Sequence, residues 1–218
     1  MYTPAAFRET RPEVIEAAIA AHPLAALVTI GAQGLDATHI PLLYSRDEGL
    51  GVGLGVLRGH MARANSQWRD HVAGTEALAI FQGPQHYVSP RWYPSTAEHG
   101  KVVPTWNYVV VHARGTLSFH HDPEWLLENV RALTDEHERS NPAPWRVADA
   151  PPEYIASLLK AIVGVEMRVT GVEGKWKVSQ NRPVADREGV AASLQNLDSG
   201  DAREIARLVE AAMREGSA

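Results

Sequence analysis

Short runs of hydrophobic residues, several of them alternating with polar or glycine positions, mark the pattern of β-strands along much of this chain. Six runs of this kind predict about six strands, at 24–30, 35–44, 50–57, 77–88, 105–119 and 162–172. The early runs are too close together for crossover helices, so we expect antiparallel connections between them. Pro41 lies inside the second run and indicates an edge, a bulge or a ligand at that point.

Apolar residues at helical spacing predict helices between and after these strands. Thr10 to Glu13 has the spacing of a capping box and begins a helix that should end near His22. Gly59 to Trp68 reads as a turn into a short helix, and further helices should begin at Pro123, at Pro152 and in the region of about 185–218. The pattern therefore predicts an α+β fold, with one domain over 1–218 that ends in C-terminal helices.

Composition narrows the class of protein. The chain has no cysteine, which removes disulfides and thiolate chemistry and fits a reducing compartment, and no apolar run approaches the length of a membrane span. A net charge of −5 and a pI near 6.1 argue against direct DNA binding, because phosphate neutralisation needs a basic surface. We expect a cytoplasmic protein that binds neither DNA directly nor a membrane.

Polar and aromatic side chains are unusually dense between residues 60 and 108. His60, Arg63 and Asn65 begin this stretch, and Trp106 and Asn107 lie near its end. Aromatic rings can stack on a planar cofactor while amides contact its polar edge. Such residues are equally typical of a subunit interface, so both interpretations stay open.

A second cluster of polar residues follows the last predicted strand. The segment Gly174-Lys-Trp-Lys-Val-Ser-Gln-Asn-Arg182 carries two lysines and an arginine around hydrogen-bonding side chains. A phosphate monoester needs several donors and about two compensating charges, which this segment could supply. A solvated turn is the alternative interpretation.

Three common functional motifs are missing from the sequence. It has no zinc-ligand spacing, so no metal site is expected, and it has neither a GxSxG serine motif nor a GxGxxG dinucleotide fingerprint.

The motifs taken together resemble the PaiB family of FMN-binding proteins, whose members are described as negative transcriptional regulators. The matching segments run in order along the chain: MYTPAAF at 1–7, HIPLL at 39–43, GHMARAN at 59–65, FQGPQHYVSPRWY at 81–93, VPTWNYVVVHARG at 103–115, the LTDEHE and PW segments within 133–145, AIVGVEM at 161–167 and EGKWKVSQNR at 173–182. The resemblance implies an FMN-binding split β-barrel flanked by helices and a homodimer with FMN near its subunit interface. Arg58 departs from the motif, where a less charged residue is typical.

The resemblance also implies roles for particular residues. The phosphate and ribityl chain of FMN would be contacted by His60, Arg63, Asn65, Lys177, Ser179 and Gln180. The isoalloxazine ring would be lined or covered by Ser89, Trp92, Tyr93, Thr105, Trp106 and Asn107.

Three functions follow as hypotheses. The first is a flavin-dependent regulator of gene expression. The second is a flavin-dependent oxidoreductase that uses NAD(P)H, in which the flavin carries the chemistry and the protein orients it. The third is a haem-binding split barrel, for which the candidate histidines are His39, His60, His86 and His112. No residue pattern identifies a substrate, an electron donor or a target gene.

Overall fold

A computed structural model describes residues 1–46 and 55–215 of the chain. Its strands are β1 (Arg8–Glu9), β2 (Leu24–Gly31), β3 (Gly34–Pro41), β4 (Leu43–Arg46), β5 (Gly55–Ala62), β6 (Glu76–Val88), β7 (Thr105–His120) and β8 (Ile162–Lys177). Its helices are α1 (Pro12–Ala21), α2 (Gln67–Asp70), α3 (Ser95–His99), α4 (Pro123–Glu138), α5 (Pro152–Leu159), α6 (Val184–Gln195) and α7 (Gly200–Glu215). The α+β class is confirmed.

The strands form one sheet in the order β3-β2-β6-β7-β8-β5-β4, and β1 pairs with β8 outside this path. The pairs β2–β3, β2–β6, β4–β5 and β5–β8 are antiparallel, as expected from the short connections. The register of these strands pairs Leu27 with Ala79 and Leu57 with Met167. All four side chains are buried. Alternate residues of β2 are buried, so the two-residue period of the sequence does place one face in the core.

The described part of the chain has eight strands where about six were predicted. The predicted strand 35–44 is two strands that pair with different partners. The backbone N–H of Leu42 donates to the carbonyl of Pro23 at 2.9 Å, which is the last contact in the β2–β3 register, and pairing with β5 begins at Leu43. β3 then pairs with β2, whereas β4 pairs with β5. The two-residue β1 is too short for a periodic signal.

Two further expectations concern the third predicted strand and the turn after it. Residues 50–54 of the predicted strand 50–57 lie outside the described residues. The predicted turn at Gly59 is wrong over its first four residues, which continue β5 and pair with β8 through partners such as Gly59 and Val165. The short helix that was expected next is α2.

Contacts divide the chain into two compact units. The first unit comprises Met1–Ile15, Gln82–Val111 and Glu173–Ala218, and the second comprises Glu16–Phe81 and His112–Val172. Within the described part of the chain, no helix combines the length and the apolar character that a membrane span requires.

The first unit is built around its two C-terminal helices. α6 and α7 bury Val190, Leu194, Ile205 and Val209 against residues at and just after the strand ends, including Val88, the last residue of β6. Each such side chain stabilises the unit by roughly 1.5–3 kcal/mol through apolar burial. The cluster holds the ends of β6 and β8 in place, and the end of β8 carries part of the candidate site.

The second unit packs α4 against the sheet. The ring of Trp125 on α4 lies against Gly164 of β8, where a Cβ atom would come within 2.2 Å of the ring. The ring of His120 stacks on Trp125 with centroids 4.1 Å apart. Asn129 of the same helix donates to the carbonyl of Gly59 at 3.1 Å, which satisfies a buried acceptor.

Candidate functional site

The predicted cofactor residues fall in both units. His60, Arg63 and Asn65 belong to the second unit. The first unit contains the other nine: Ser89, Trp92, Tyr93, Thr105, Trp106, Asn107, Lys177, Ser179 and Gln180.

A small polar cavity in the first unit brings five of these nine residues together. Its volume is about 100 Å³. The lining consists of Tyr93, Val103, Pro104, Thr105, Asn107, Lys177, Ser179, Asn181 and Arg182, none of which is acidic. The start of β7 and the end of β8 therefore supply a pocket with two cationic side chains and several neutral hydrogen-bonding groups.

Lys177 is the centre of positive charge in this cavity. Its Nζ donates to the hydroxyl of Thr105 and, at 2.5 Å, to the carbonyl oxygen of Trp106. Burial lowers the pKa of Lys177, and repulsion from Lys175 and Arg182 lowers it further. Cations crowded against one another without a lining carboxylate form a site that an anion would stabilise.

A buried hydrogen bond shapes the turn that follows β8. Ser179 has a φ of 65°, which few residues other than glycine adopt. Its hydroxyl accepts from Nδ2 of the fully buried Asn107 at 2.9 Å. Gln180 closes the same turn, because its Oε1 accepts from the N–H of Val178 at 2.8 Å and its Nε2 donates to the carbonyl of Trp176 at 2.6 Å. These amides hold the turn that carries Lys177 and Arg182.

Aromatic residues of the first unit divide into exposed and packed rings. Trp106 is 51% exposed and contacts the 43% exposed Tyr87 edge to face, with centroids 6.3 Å apart. Trp92 instead packs against the helical cluster, and Ser89 accepts from the N–H of Arg91 at 3.3 Å. Tyr93 is buried under the guanidinium of Arg182, which lies 4.8 Å from the ring centroid. Trp106 is thus the predicted ring with a face accessible to a planar ligand.

The three predicted residues of the second unit make local contacts there. Arg63 donates to the carbonyls of Lys160 at 2.8 Å and Ile162 at 2.9 Å. Asn65 donates to the hydroxyl of Thr38 at 2.8 Å and accepts from the N–H of Gln67 at the start of α2. Burial lowers the pKa of His60, which favours the neutral imidazole.

The sequence did not assign Arg182 or Asn181 to the site, although both stand in the same cationic segment as Lys177. The positive charge of Arg182, and the position of both residues close to Lys177 in the motif GKWKVSQNR, could have identified them. Val103 and Pro104, which also line the cavity, have no comparable signal, because apolar residues before a strand are common.

The residues present fit the anionic end of FMN. A phosphate monoester carries about two negative charges and accepts from several donors. Lys177, Arg182 and the neighbouring hydroxyl and amide groups offer that combination. The cavity is smaller than the roughly 300–1,000 Å³ of pockets that enclose a whole small ligand, so it suits the phosphate group alone.

These features suit a protein that binds a phosphate-bearing cofactor. The chain belongs to the FMN-binding family whose model is described as "Putative FMN-binding domain" and matches residues 1–171. The PaiB-type resemblance and FMN as the cofactor are confirmed by this match and by the relative described next. The cationic turn after β8 lies beyond the matched range.

Sequence similarity to a curated relative extends over nearly the whole chain. The chain is 34% identical over 212 residues to the protein named "Protease synthase and sporulation protein PAI 2" of Bacillus subtilis. The aligned region covers 96% of this chain and 97% of the relative.

Solved structures establish the fold. The FAD and heme binding protein from Mycobacterium smegmatis is similar with a TM-score of 0.55 at 17% identity, over 85% of this chain and 79% of that one. The flavocytochrome Anf3 from Azotobacter vinelandii is similar with a TM-score of 0.55 at 13% identity, over 78% of this chain and 69% of that one. The predicted split-barrel fold class is confirmed.

Proposed function

We propose that this protein is an FMN-dependent regulator whose cofactor is anchored by its phosphate at the cationic cavity of the first unit. The crowding of Lys175, Lys177 and Arg182, with no acidic residue in the cavity lining, carries this proposal. Lys177 and Arg182 would neutralise the phosphate, and Thr105 and Ser179 would add hydroxyl contacts. Asn107 and Gln180 would act by holding the turn.

The exposed face of Trp106 would contact the isoalloxazine ring. Its backbone carbonyl accepts from Lys177, so one residue connects the ring platform with the cation. Stacking on an indole is favourable for a planar aromatic ligand and excludes water from one of its faces. The assignments of Ser89, Trp92, His60, Arg63 and Asn65 to the cofactor stay predictions as well. All of these side chains except His60 have a local contact described above.

The regulatory role is proposed from the similarity to the Bacillus subtilis relative, whose name refers to protease synthesis and sporulation. The net charge of −5 argues against regulation through direct DNA contact. We therefore propose that flavin occupancy alters contacts with a protein partner. A homodimer, a cytoplasmic location and one functional domain over 1–218 stay part of this proposal.

A second candidate is an oxidoreductase, because Trp106 is exposed and a flavin ring bound on it would be accessible from solvent to a nicotinamide. Bound FMN would supply hydride acceptance, and the chain would supply orientation and charge. Haem binding is a third candidate, since the similar Mycobacterium smegmatis protein is named for FAD and heme. The absorbance spectrum after addition of each cofactor separates flavin from haem.

The phosphate anchor is tested by comparing FMN with riboflavin, which lacks the phosphate. In Lys177→Met we expect the FMN dissociation constant to rise about ten- to hundredfold, because a charge-assisted contact contributes about 1.5–3 kcal/mol. Riboflavin affinity should change less than threefold. Lys101→Met, at an exposed position outside the cavity, is the matched control.

Flavin fluorescence quenching measures the affinity of the unsubstituted protein and of both variants for each ligand. Equal losses of FMN and riboflavin affinity would contradict the phosphate placement, and unchanged FMN affinity would locate the phosphate elsewhere. Oxidation of NADH or NADPH by the FMN-loaded protein then separates the two leading functions. Turnover that saturates with the nicotinamide would favour the oxidoreductase over the regulator.

A further inference from the structure

The second unit contains a larger cavity, which the phosphate anchor proposed at Lys177 does not use, although Arg63 in its lining is also a predicted contact of the cofactor. Its volume is about 410 Å³, within the range of roughly 300–1,000 Å³ for small-ligand pockets. The lining comes from the end of β5, the start of α4 and the end of α5: Arg63, His121, Pro123, Leu126, Ala156, Leu159 and Lys160. Most of these side chains are apolar, and none is acidic.

Arg63 places a fixed positive charge at this cavity. Nε donates to the carbonyl of Lys160 at 2.8 Å, and Nη2 donates to the carbonyl of Ile162 at 2.9 Å. These carbonyls follow the C-terminus of α5 and orient the guanidinium, but they carry no net charge to neutralise it. Within residues 1–46 and 55–215, Arg63 forms no ion pair with a carboxylate.

His121 adds a second polar group beside that charge. Nη1 of Arg63 lies 3.3 Å from Nδ1 of His121. A guanidinium can only donate, so Nδ1 is the acceptor in this contact. The ring of Trp68 contacts His121 edge to face with centroids 5.1 Å apart, which limits rotation of the imidazole. The two side chains together can serve an anionic group with more than one acceptor.

We propose that this cavity binds a small amphipathic carboxylate, independently of FMN. The apolar body of the ligand would contact Pro123, Leu126 and Leu159. Its carboxylate would accept from Arg63 and His121 and neutralise the uncompensated charge. The ligand class follows from the combination of an apolar wall, a volume suited to a small molecule and a cation without an acidic partner.

The test compares 2-naphthoate with 2-naphthamide, which has nearly the same shape but no charge. Isothermal titration calorimetry is performed on the full chain loaded with FMN. We expect one 2-naphthoate per chain and an affinity for the amide that is about tenfold weaker, because only the carboxylate forms charge-assisted contacts. Equal affinities for the two probes would overturn the proposal.

A pair of variants on α5 locates the binding. Ala156→Trp inserts an indole at a residue that lines the cavity and should weaken 2-naphthoate binding at least tenfold. Ser157→Trp places the same ring on the next, exposed residue and should leave binding within twofold. Circular dichroism confirms that both variants are folded, and the comparison of the two probes stands without either variant.

The FMN-free protein distinguishes an independent site from part of the flavin site. We expect the same 2-naphthoate affinity with and without FMN. If FMN displaces 2-naphthoate, the cavity belongs to the flavin site and the proposal is wrong. Lys177→Met should weaken FMN binding and leave 2-naphthoate binding unchanged. That result would show that the two sites can be tested separately, so the failure of one proposal does not decide the other.

Discussion

At the scale of single residues, the chemistry of the candidate flavin site depends on one partly buried lysine. Burial and the neighbouring Lys175 and Arg182 disfavour the charged form of Lys177, so its pKa is lowered. The same three cations would each be stabilised by a bound phosphate. Binding of FMN should therefore raise the pKa of Lys177 again, and proton binding and FMN binding should be linked.

This linkage predicts a pH profile. As pH rises through the lowered pKa of Lys177, below the ordinary lysine value of about 10.4, FMN affinity should fall because the ammonium is lost from the free protein. As pH falls below about 6, affinity should fall again because the phosphate becomes a monoanion. The affinity is measured by fluorescence titration across both pH regions in which it should fall, with riboflavin as the control. A Lys177→Met profile that keeps the alkaline fall would assign it to another group.

At the scale of elements, glycine positions decide how closely α4 approaches β8. We expect Gly164→Ala to destabilise the protein by about 1–3 kcal/mol, since the new Cβ would lie 2.2 Å from the ring of Trp125 and force the helix to shift. Gly171→Ala on the same strand is the matched control, because no heavy atom lies within 4 Å of its added Cβ. Urea denaturation measures both. Equal stability of the two variants would show that Trp125 moves without cost.

The elements that the sequence predicted are those with strong local signals. Proline and capping residues marked the starts of α1, α4 and α5, and runs of hydrophobic residues marked β6 and β7. The switch of pairing partner after Leu42, from β2 to β5, was missed, because it depends on contacts with two different strands rather than on hydrophobic period. A pattern over neighbouring residues contains no information on such a contact.

The same distinction applies to the candidate site. The cationic segment at 174–182 was visible as a motif. The hydrogen bond between Asn107 and Ser179 joins residues 72 positions apart, so no local pattern reveals that Asn107 supports the turn. The bonds from Arg63 to the end of α5 likewise span 97 residues or more. Tertiary contact, rather than residue type, separates a ligand-contacting side chain from one that positions it.

At the scale of the whole molecule, a ligand that binds only the folded chain stabilises that chain by mass action. The stabilisation depends on the ratio of free ligand to its dissociation constant and needs no change in the fold. FMN and riboflavin share a ring but differ in the phosphate. Their effects on unfolding therefore report the phosphate anchor without any assumption about the activity of the protein.

We expect FMN at about one hundred times its dissociation constant to stabilise the protein by about 2.7 kcal/mol. For a chain of this size that corresponds to a rise in Tm of roughly 5–10 °C. At the same FMN concentration, Lys177→Met with a tenfold larger dissociation constant should gain about 1.4 kcal/mol, or half the shift. Scanning calorimetry measures both, with Lys101→Met as the control. A full shift in Lys177→Met would show that Lys177 does not contact the phosphate, because any loss of affinity must reduce the stabilisation at fixed ligand concentration.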